Sequence, residues 1–298
     1  MTPKKQKRKN IKKAMDMELR EHRSTFIVYL IIRAIVIAVM IRQIFMGNYE
    51  NVFLCALTLV LLTLPSFVQV QFRIDLPSTL EIIILMFIFA AEILGEVNEF
   101  YIKIQAWDTI LHTLNGFLAA AIGFSLVNLL NEDERLSFNL SPFFVAVVAF
   151  CFSMTIGVLW EFFEFFIDQN LNMDMQKDTI ITSINSVSLN PDGANIPYHI
   201  NNITSTIVNG EALPIEGYLD IGLIDTMKDL FVNFIGAVVF SVIGYFYIKK
   251  KGSGKFAKKF IPEPKGQDND FLKKIEILNL CFGTSVNYNK LCGEFRSV

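Results

Sequence analysis

The sequence predicts an all-α polytopic membrane protein: a bundle of about six transmembrane helices with a small extracytoplasmic loop domain between spans five and six. Three observations carry this. The chain of 298 residues is 52% hydrophobic, contains 28 phenylalanines and has a mean hydropathy of +0.43. Apolar runs of about twenty residues recur, the length that crosses a hydrocarbon core at 1.5 Å per residue. Lysines gather at the two ends of the apolar region, as the positive-inside rule expects of cytoplasmic segments.

Residues 1–25 form a basic head in which Lys4, Lys5, Lys7, Lys9, Lys12 and Lys13 crowd together. Such a cluster suits nucleic acid as well, but beside apolar spans it reads as a cytoplasmic anchor, so no nucleic-acid partner is expected. The membrane domain, 26–247, divides into six spans: Phe26–Phe45, Val52–Val70, Thr79–Leu94, Trp107–Leu130, Pro142–Ile167 and Asp225–Tyr247. The first carries Arg33 and lacks an Ala-x-Ala cleavage pattern, which favours a retained span over a removed signal peptide. The third is short and carries Glu81 and Glu92. Six crossings return the chain to its starting side, which matches the second lysine cluster, Lys249–Lys251 to Lys259, and places both termini in the cytoplasm.

The loops follow this topology. Residues 168–224 contain Lys177 as their single Lys or Arg, which fits the outer side. Within them "SLNPDGANIP" (188–197) holds an Asn-Pro-Asp-Gly turn signal between Ile, Val and Thr residues suited to short strands, so a small folded cap is expected. The inner loop 131–141 is acidic, but acidic residues contribute little to orientation. The tail, 248–298, turns polar from Pro262 and is too poor in apolar residues for another crossing. "GSGK" (252–255) lacks the full phosphate-loop pattern. Cys55 and Cys151 lie in apolar runs as small packing residues, while Cys281 and Cys292 lack the close spacing of a zinc site.

Three spans deliver their ionisable residues to the outer side. Span four begins there with Trp107, Asp108 and His112; span five ends there with Trp160, Glu161, Glu164 and Asp168; span six begins with Asp225, Asp229 and Asn233. Spacings of three and four put each set on one helical face. In span four that face continues as Gly116, Ala120 and Gly123, and Gly236 follows Asn233, small residues that admit a neighbouring helix. Asp108 and Asp225 are equally placed for N-caps, and Trp107 and Trp160 for interfacial belt aromatics. Capping does not serve the deeper positions. At 1.5 Å per residue, Asp229 lies about 6 Å and Asn233 about 12 Å below Asp225. An intramembrane carboxylate costs about 2.5–3.5 kcal/mol on insertion scales, so it ordinarily faces a cavity, a partner or a ligand.

The set "WDTILHTLNGF" (107–117), "WEFFEF" (160–165) and "DTMKDLFVNFIGA" (225–237) resembles the YjdF-like family of bacterial membrane proteins, and more distantly VanZ-type proteins linked to glycopeptide tolerance. The resemblance covers about Trp107 to Tyr247. It implies a bacterial plasma-membrane location and a shared polar site at Asp108, His112, Glu161, Glu164, Asp225 and Asp229; Asn233 matches the VanZ-type pattern alone. Thr113 stands where family members often have Phe, and the outer loop is longer.

Several functions suit this pattern. A hydrolase or transferase acting on a lipid-linked substrate would use Asp108, His112, Glu161, Glu164, Asp225 and Asp229 as candidate ligands of a divalent cation, Mg²⁺, Mn²⁺ or Ca²⁺, since the set is rich in hard oxygen donors. His112, Asp108 and Asp229 would be its catalytic residues, and Trp107, Trp160 and Asn233 would contact substrate. A proton- or cation-coupled transporter would use the same residues and need a route inward, for which Arg33 and Glu81 are the candidates. A non-catalytic lipid or glycopeptide tolerance factor, and a purely structural polar network, complete the alternatives.

Overall fold

A computed structural model describes residues 3–132, 140–171, 174–250, 253–254, 256–266 and 269–283. Residues 133–139 of the acidic loop, Gly252 and Lys255 of "GSGK" and the chain from 284, with Cys292, lie outside the described residues, as does the Cys281 side chain. Helix α1 (Pro3–Glu21) precedes the first span, α2 (Arg23–Met46). Gly47, at φ +73°, ends α2 in a left-handed cap, a conformation glycine adopts without a Cβ penalty. The second span is α3 (Tyr49–Leu61) and α4 (Leu64–Phe72), broken at Leu62–Thr63. The break has a local cause: Pro65 lacks an N–H and its ring excludes the carbonyl four residues back, so the helix restarts with proline in its first turn.

Helix α5 (Ser78–Phe89) runs on without interruption as a wider π-helical stretch, Ala90–Val97. After the short α6 (Phe100–Lys103) come the three long helices α7 (Trp107–Glu132), α8 (Pro142–Leu171) and α9 (Leu223–Lys249). Five of the segments, Arg23–Met46, Tyr49–Phe72, Trp107–Asn128, Pro142–Leu171 and Leu223–Lys249, are long and apolar enough to cross a membrane.

A further segment, Ser78–Val97, runs between the same two faces of the bundle without being among these five. Strand β1 (Ile74–Asp75), just before α5, pairs antiparallel with β8 (Glu263–Pro264), beyond α9. Helix α10 (Phe271–Gly283) packs on α1 through Ala14, Val70 and Ile275, and Asn279 donates to Asn10 at 3.1 Å. Helices α1 and α10, strand β8 and the loop after α4 therefore share one face. Residues 98–106 share the opposite face with the loop after α8, so Ser78–Val97 must traverse between them.

Helices α7, α8 and α9 form the tightest part of the bundle. A Cβ at Gly116 would stand 2.1 Å from the Asn233 carbonyl oxygen, and one at Gly236 2.0 Å from that of Thr113. Side chains at either position would force α7 and α9 apart, so glycine here sets the interhelical distance. Below this contact Phe117, Phe124 and Phe240 pack edge to face. The tail contributes to the same core: Ala257, Phe260 and Ile261 are buried in it, with Phe260 5.2 Å from Phe117. A second core joins α2, α3 and α5 through Tyr29, Ile32, Val36, Cys55 and Leu85. Cys55 is buried and Cys151 exposed.

On the face opposite α1 and α10, residues 174–222 fold into three short antiparallel pairs. They are β2 (Ile180–Ile181) with β7 (Tyr218–Leu219), β3 (Ile184–Ser186) with β4 (Tyr198–Ile200), and β5 (Ile207–Val208) with β6 (Glu211–Ala212). The Asn-Pro-Asp-Gly turn lies between β3 and β4, where Asn190 Oδ1 accepts from the Asp192 N–H at 2.9 Å.

Candidate functional site

Each polar residue reaches the site from a helix whose other face is committed to lipid or to the core. In α7, Asp108 and His112 are one turn apart, and Asp108 Oδ1 lies 3.4 Å from His112 Nε2. The same nitrogen is 4.0 Å from Asp229 Oδ2 in α9, while His112 Nδ1 faces Glu161 Oε1 in α8 at 3.8 Å. His112 thus bridges the three long helices. His112 is 9% exposed, Glu161 4% and Asp229 1%. Asp229 Oδ1 is buried with no hydrogen-bond partner among the described residues. A buried polar oxygen left unpaired is costly, and Glu161 Oε2 in the same cluster is unpaired too.

Asp108, His112 and Asp229 each offer one ligand atom, all within 4.8 Å of one another. They form part of the wall of a cavity of about 370 Å³ on the side of the loop after α8. Glu164, Asp225 and Trp160 line it too. Glu164 Oε1 accepts from Trp160 Nε1 at 2.8 Å, which fixes both side chains.

Asp225 Oδ2 accepts from the Lys177 N–H at 2.8 Å, so this carboxylate ties the loop to α9 rather than capping its own helix. Asp168 does the same for α8, accepting from the Met175 and Gln176 N–H groups at 2.6 and 2.9 Å. Asp220 accepts from Thr179 and Ile224, both at 2.7 Å. These acidic residues are therefore what fasten the loop between α8 and α9 over the cavity.

Three expected site residues stand outside the cavity wall. Trp107 is stacked edge-on with Phe100 at 5.0 Å. Asn233 accepts from Asn115 at 3.2 Å and lies against Gly157, a packing position between α7 and α8. Glu161 approaches the cavity only through His112. The structure adds Glu96, Tyr101, Lys177, Asp178 and Lys228 to the wall. Burial, reinforced by Asp108 and Glu96, pushes the Tyr101 phenol well up, so it stands at the wall as a protonated donor. Asp178 is raised by partial burial and by neighbouring Asp174. Of these, Glu96 has a signal in the sequence, since its place with Glu92 near the far end of span three reads as the border of the site; Lys177 has one as the only Lys or Arg of 168–224. Tyr101 has none, since it is held by Gly95, whose missing Cβ would meet its ring at 2.4 Å.

Arg33 and Glu81, the candidates for an inward route, are used elsewhere. Arg33 donates to the Tyr29 hydroxyl one turn away in α2. Glu81 is buried and accepts from Gln69 Nε2 at 3.3 Å, linking α5 to α4.

No curated protein and no solved structure matches the chain. A family profile does, and it is consistent with the resemblance to YjdF-like membrane proteins. The chain belongs to the family described as predicted membrane protein (DUF2238), whose profile matches residues 27–250 and takes in every long helix that lines the cavity.

Proposed function

We propose that the protein binds a divalent cation at Asp108, His112 and Asp229 and uses it to hydrolyse or transfer the head group of a lipid-linked substrate. The observation that carries this is the convergence of one imidazole and two carboxylates from α7 and α9, within 4.8 Å, at the wall of a cavity that Lys177 and Asp178 of the loop after α8 also line. The unpaired Asp229 Oδ1 fits such a group. Two carboxylates suit Mg²⁺, Mn²⁺ or Ca²⁺, and the imidazole moves the preference toward Mn²⁺. When bound, the ion supplies Lewis-acid polarisation of a phosphoryl or carbonyl oxygen and a more acidic water.

The surrounding residues orient this set. Glu161 faces Nδ1 of His112, which leaves Nε2 turned toward Asp108 and Asp229. Glu164, held by Trp160, is a wall carboxylate beside this set that can move a proton. Lys177 and Lys228 supply positive charge at the rim for an anionic head group. The lysine-rich ends support a topology with both termini in the cytoplasm of a bacterial cell, in which the cavity faces outward from the plasma membrane.

Titration of the purified protein with Mn²⁺ tests the reading. Wild type binds one ion, while His112→Ala and Asp229→Asn each abolish binding and keep the melting temperature within a few degrees. A wild-type protein that takes up none of Mn²⁺, Mg²⁺ or Ca²⁺ overturns it.

A further inference from the structure

A second cavity, of about 420 Å³, lies between α4 and α5 on one side and α7 and α8 on the other, and its lining is almost wholly apolar. Its depth is that of the spans, and its edge residues Leu64, Phe72, Ile122 and Ile156 are exposed toward the hydrocarbon. The medium that fills such a cleft in a bilayer is lipid chain. Its position relative to the polar cavity is what gives it meaning.

The walls of the two cavities are the same helices, one above the other. In α7 the cleft is lined by Asn115, Ala119, Ile122 and Leu126, spaced three and four apart on one face. That stripe continues upward through His112 to Asp108 in the polar cavity. In α8 the cleft has Phe152 and Ile156; the next two members of that row, Trp160 and Glu164, belong to the polar cavity. In α5 the cleft has Ile84 and Ile88, and its π-helical continuation brings Gly95 and Glu96 to the polar cavity. The step from one to the other is about 4.5 Å along α7 and about 6 Å along α8. Three independent helices thus change together from apolar to ionisable at one depth, the pattern an amphiphile imposes.

We infer that the cleft holds a hydrocarbon chain of the phosphate-bearing lipid whose head group occupies the polar cavity, and that this lipid enters sideways from the bilayer between α5 and α8. The inference rests on the proposed function for its head-group half and deepens it by assigning the tail. Asn115 marks the boundary: its amide is anchored to Asn233, so its polar end is satisfied within the bundle and the cleft below stays dry. At the other end Ile74, Leu76 and Pro262 close the cleft, which limits how much chain it takes.

The test uses the full chain in liposomes of phosphatidylethanolamine and phosphatidylglycerol, doped with a phosphatidylglycerol that carries a photoactivatable diazirine midway along one acyl chain. Mapped cross-links fall on Ala119, Ile122, Phe152 and Ile156 about tenfold more often than on the lipid-facing Ile31 and Ile35 of α2. Ile122→Trp and Ile156→Trp, both at exposed edge positions that tolerate bulk, each cut cleft labelling severalfold. A diacylglycerol bearing the same chain but no phosphate labels the cleft severalfold less. Labelling spread evenly over lipid-facing residues overturns the inference, and so does equal labelling by the phosphate-free probe. Mn²⁺ titration of the same samples separates the two readings: Mn²⁺ bound with an unlabelled cleft sinks the tail assignment alone, and a labelled cleft without Mn²⁺ binding sinks the metal site alone.

Discussion

Gly236→Ala is a small change whose consequences reach the site. Its Cβ would stand 2.0 Å from the Thr113 carbonyl oxygen and 2.8 Å from the Phe117 nitrogen, both backbone atoms that have no rotamer to escape into. Ordinary contact begins near 3.4 Å, so α9 must retreat from α7 by about 1.4 Å or tilt by an equivalent amount. Overpacking of this kind costs about 1–3 kcal/mol, and the unyielding backbone puts it at the upper end. Alanine's better helix propensity offsets roughly 1 kcal/mol. The net loss is about 1–2 kcal/mol, read as a lowered melting temperature in detergent.

The retreat also separates Asp229 from His112, which are 4.0 Å apart across the same two helices. Metal ligands tolerate misplacement of about 0.5 Å, so Mn²⁺ affinity falls at least tenfold in isothermal titration. Gly254→Ala is the control, because its nearest neighbours would be 3.5 Å away. A Gly236→Ala protein that melts and binds Mn²⁺ as wild type does would refute the claim that α7–α9 closeness builds the site.

Other outcomes follow from the same geometry. Glu161→Gln weakens Mn²⁺ binding by about 10–100-fold without abolishing it, since Glu161 orients His112 and is not itself a ligand of the triad. In a cysteine-free background, Lys177→Cys reacts with an impermeant maleimide in intact cells and Lys259→Cys reacts only after lysis; the reverse order would invert the topology. Burial outweighs the attraction of Lys265 and raises Glu18 of α1 to about 7. A carboxyl whose folded pKa is raised binds its proton more tightly when folded, so its stabilisation is full below about pH 4.3 and is lost as pH rises through about 7. Melting temperature therefore declines between pH 5 and 8 in wild type and is flatter in Glu18→Gln; parallel curves would contradict this.

Much of the membrane domain was legible because hydrocarbon imposes length and helical packing imposes period. The spans read as Trp107–Leu130 and Pro142–Ile167 are the helices Trp107–Glu132 and Pro142–Leu171. The rows Asp108–His112, Glu161–Glu164 and Asp225–Asp229 follow from spacings of three and four, and Gly116 and Gly236 mark where α7 and α9 meet. The break at Leu62–Thr63 was signalled by Pro65 but overrun by the apolar pattern, which dominates a hydropathy reading.

What tertiary structure alone decided is how the rows are used. Sequence spacing says which residues share a face of one helix and nothing about the rotation of that helix against its neighbours. Rotation placed Glu161 behind His112, sent Asn233 into the α7–α8 contact, and brought Glu96 and Tyr101 to the wall. It also stacked an apolar cleft beneath the polar cavity along the same three helices. The pairing of Ile74–Asp75 with Glu263–Pro264, and the burial of Phe260 beneath Phe117, join segments nearly two hundred residues or more than a hundred apart. Such contacts leave no period in the chain, because they are selected by packing between surfaces that exist only once the helices have assembled.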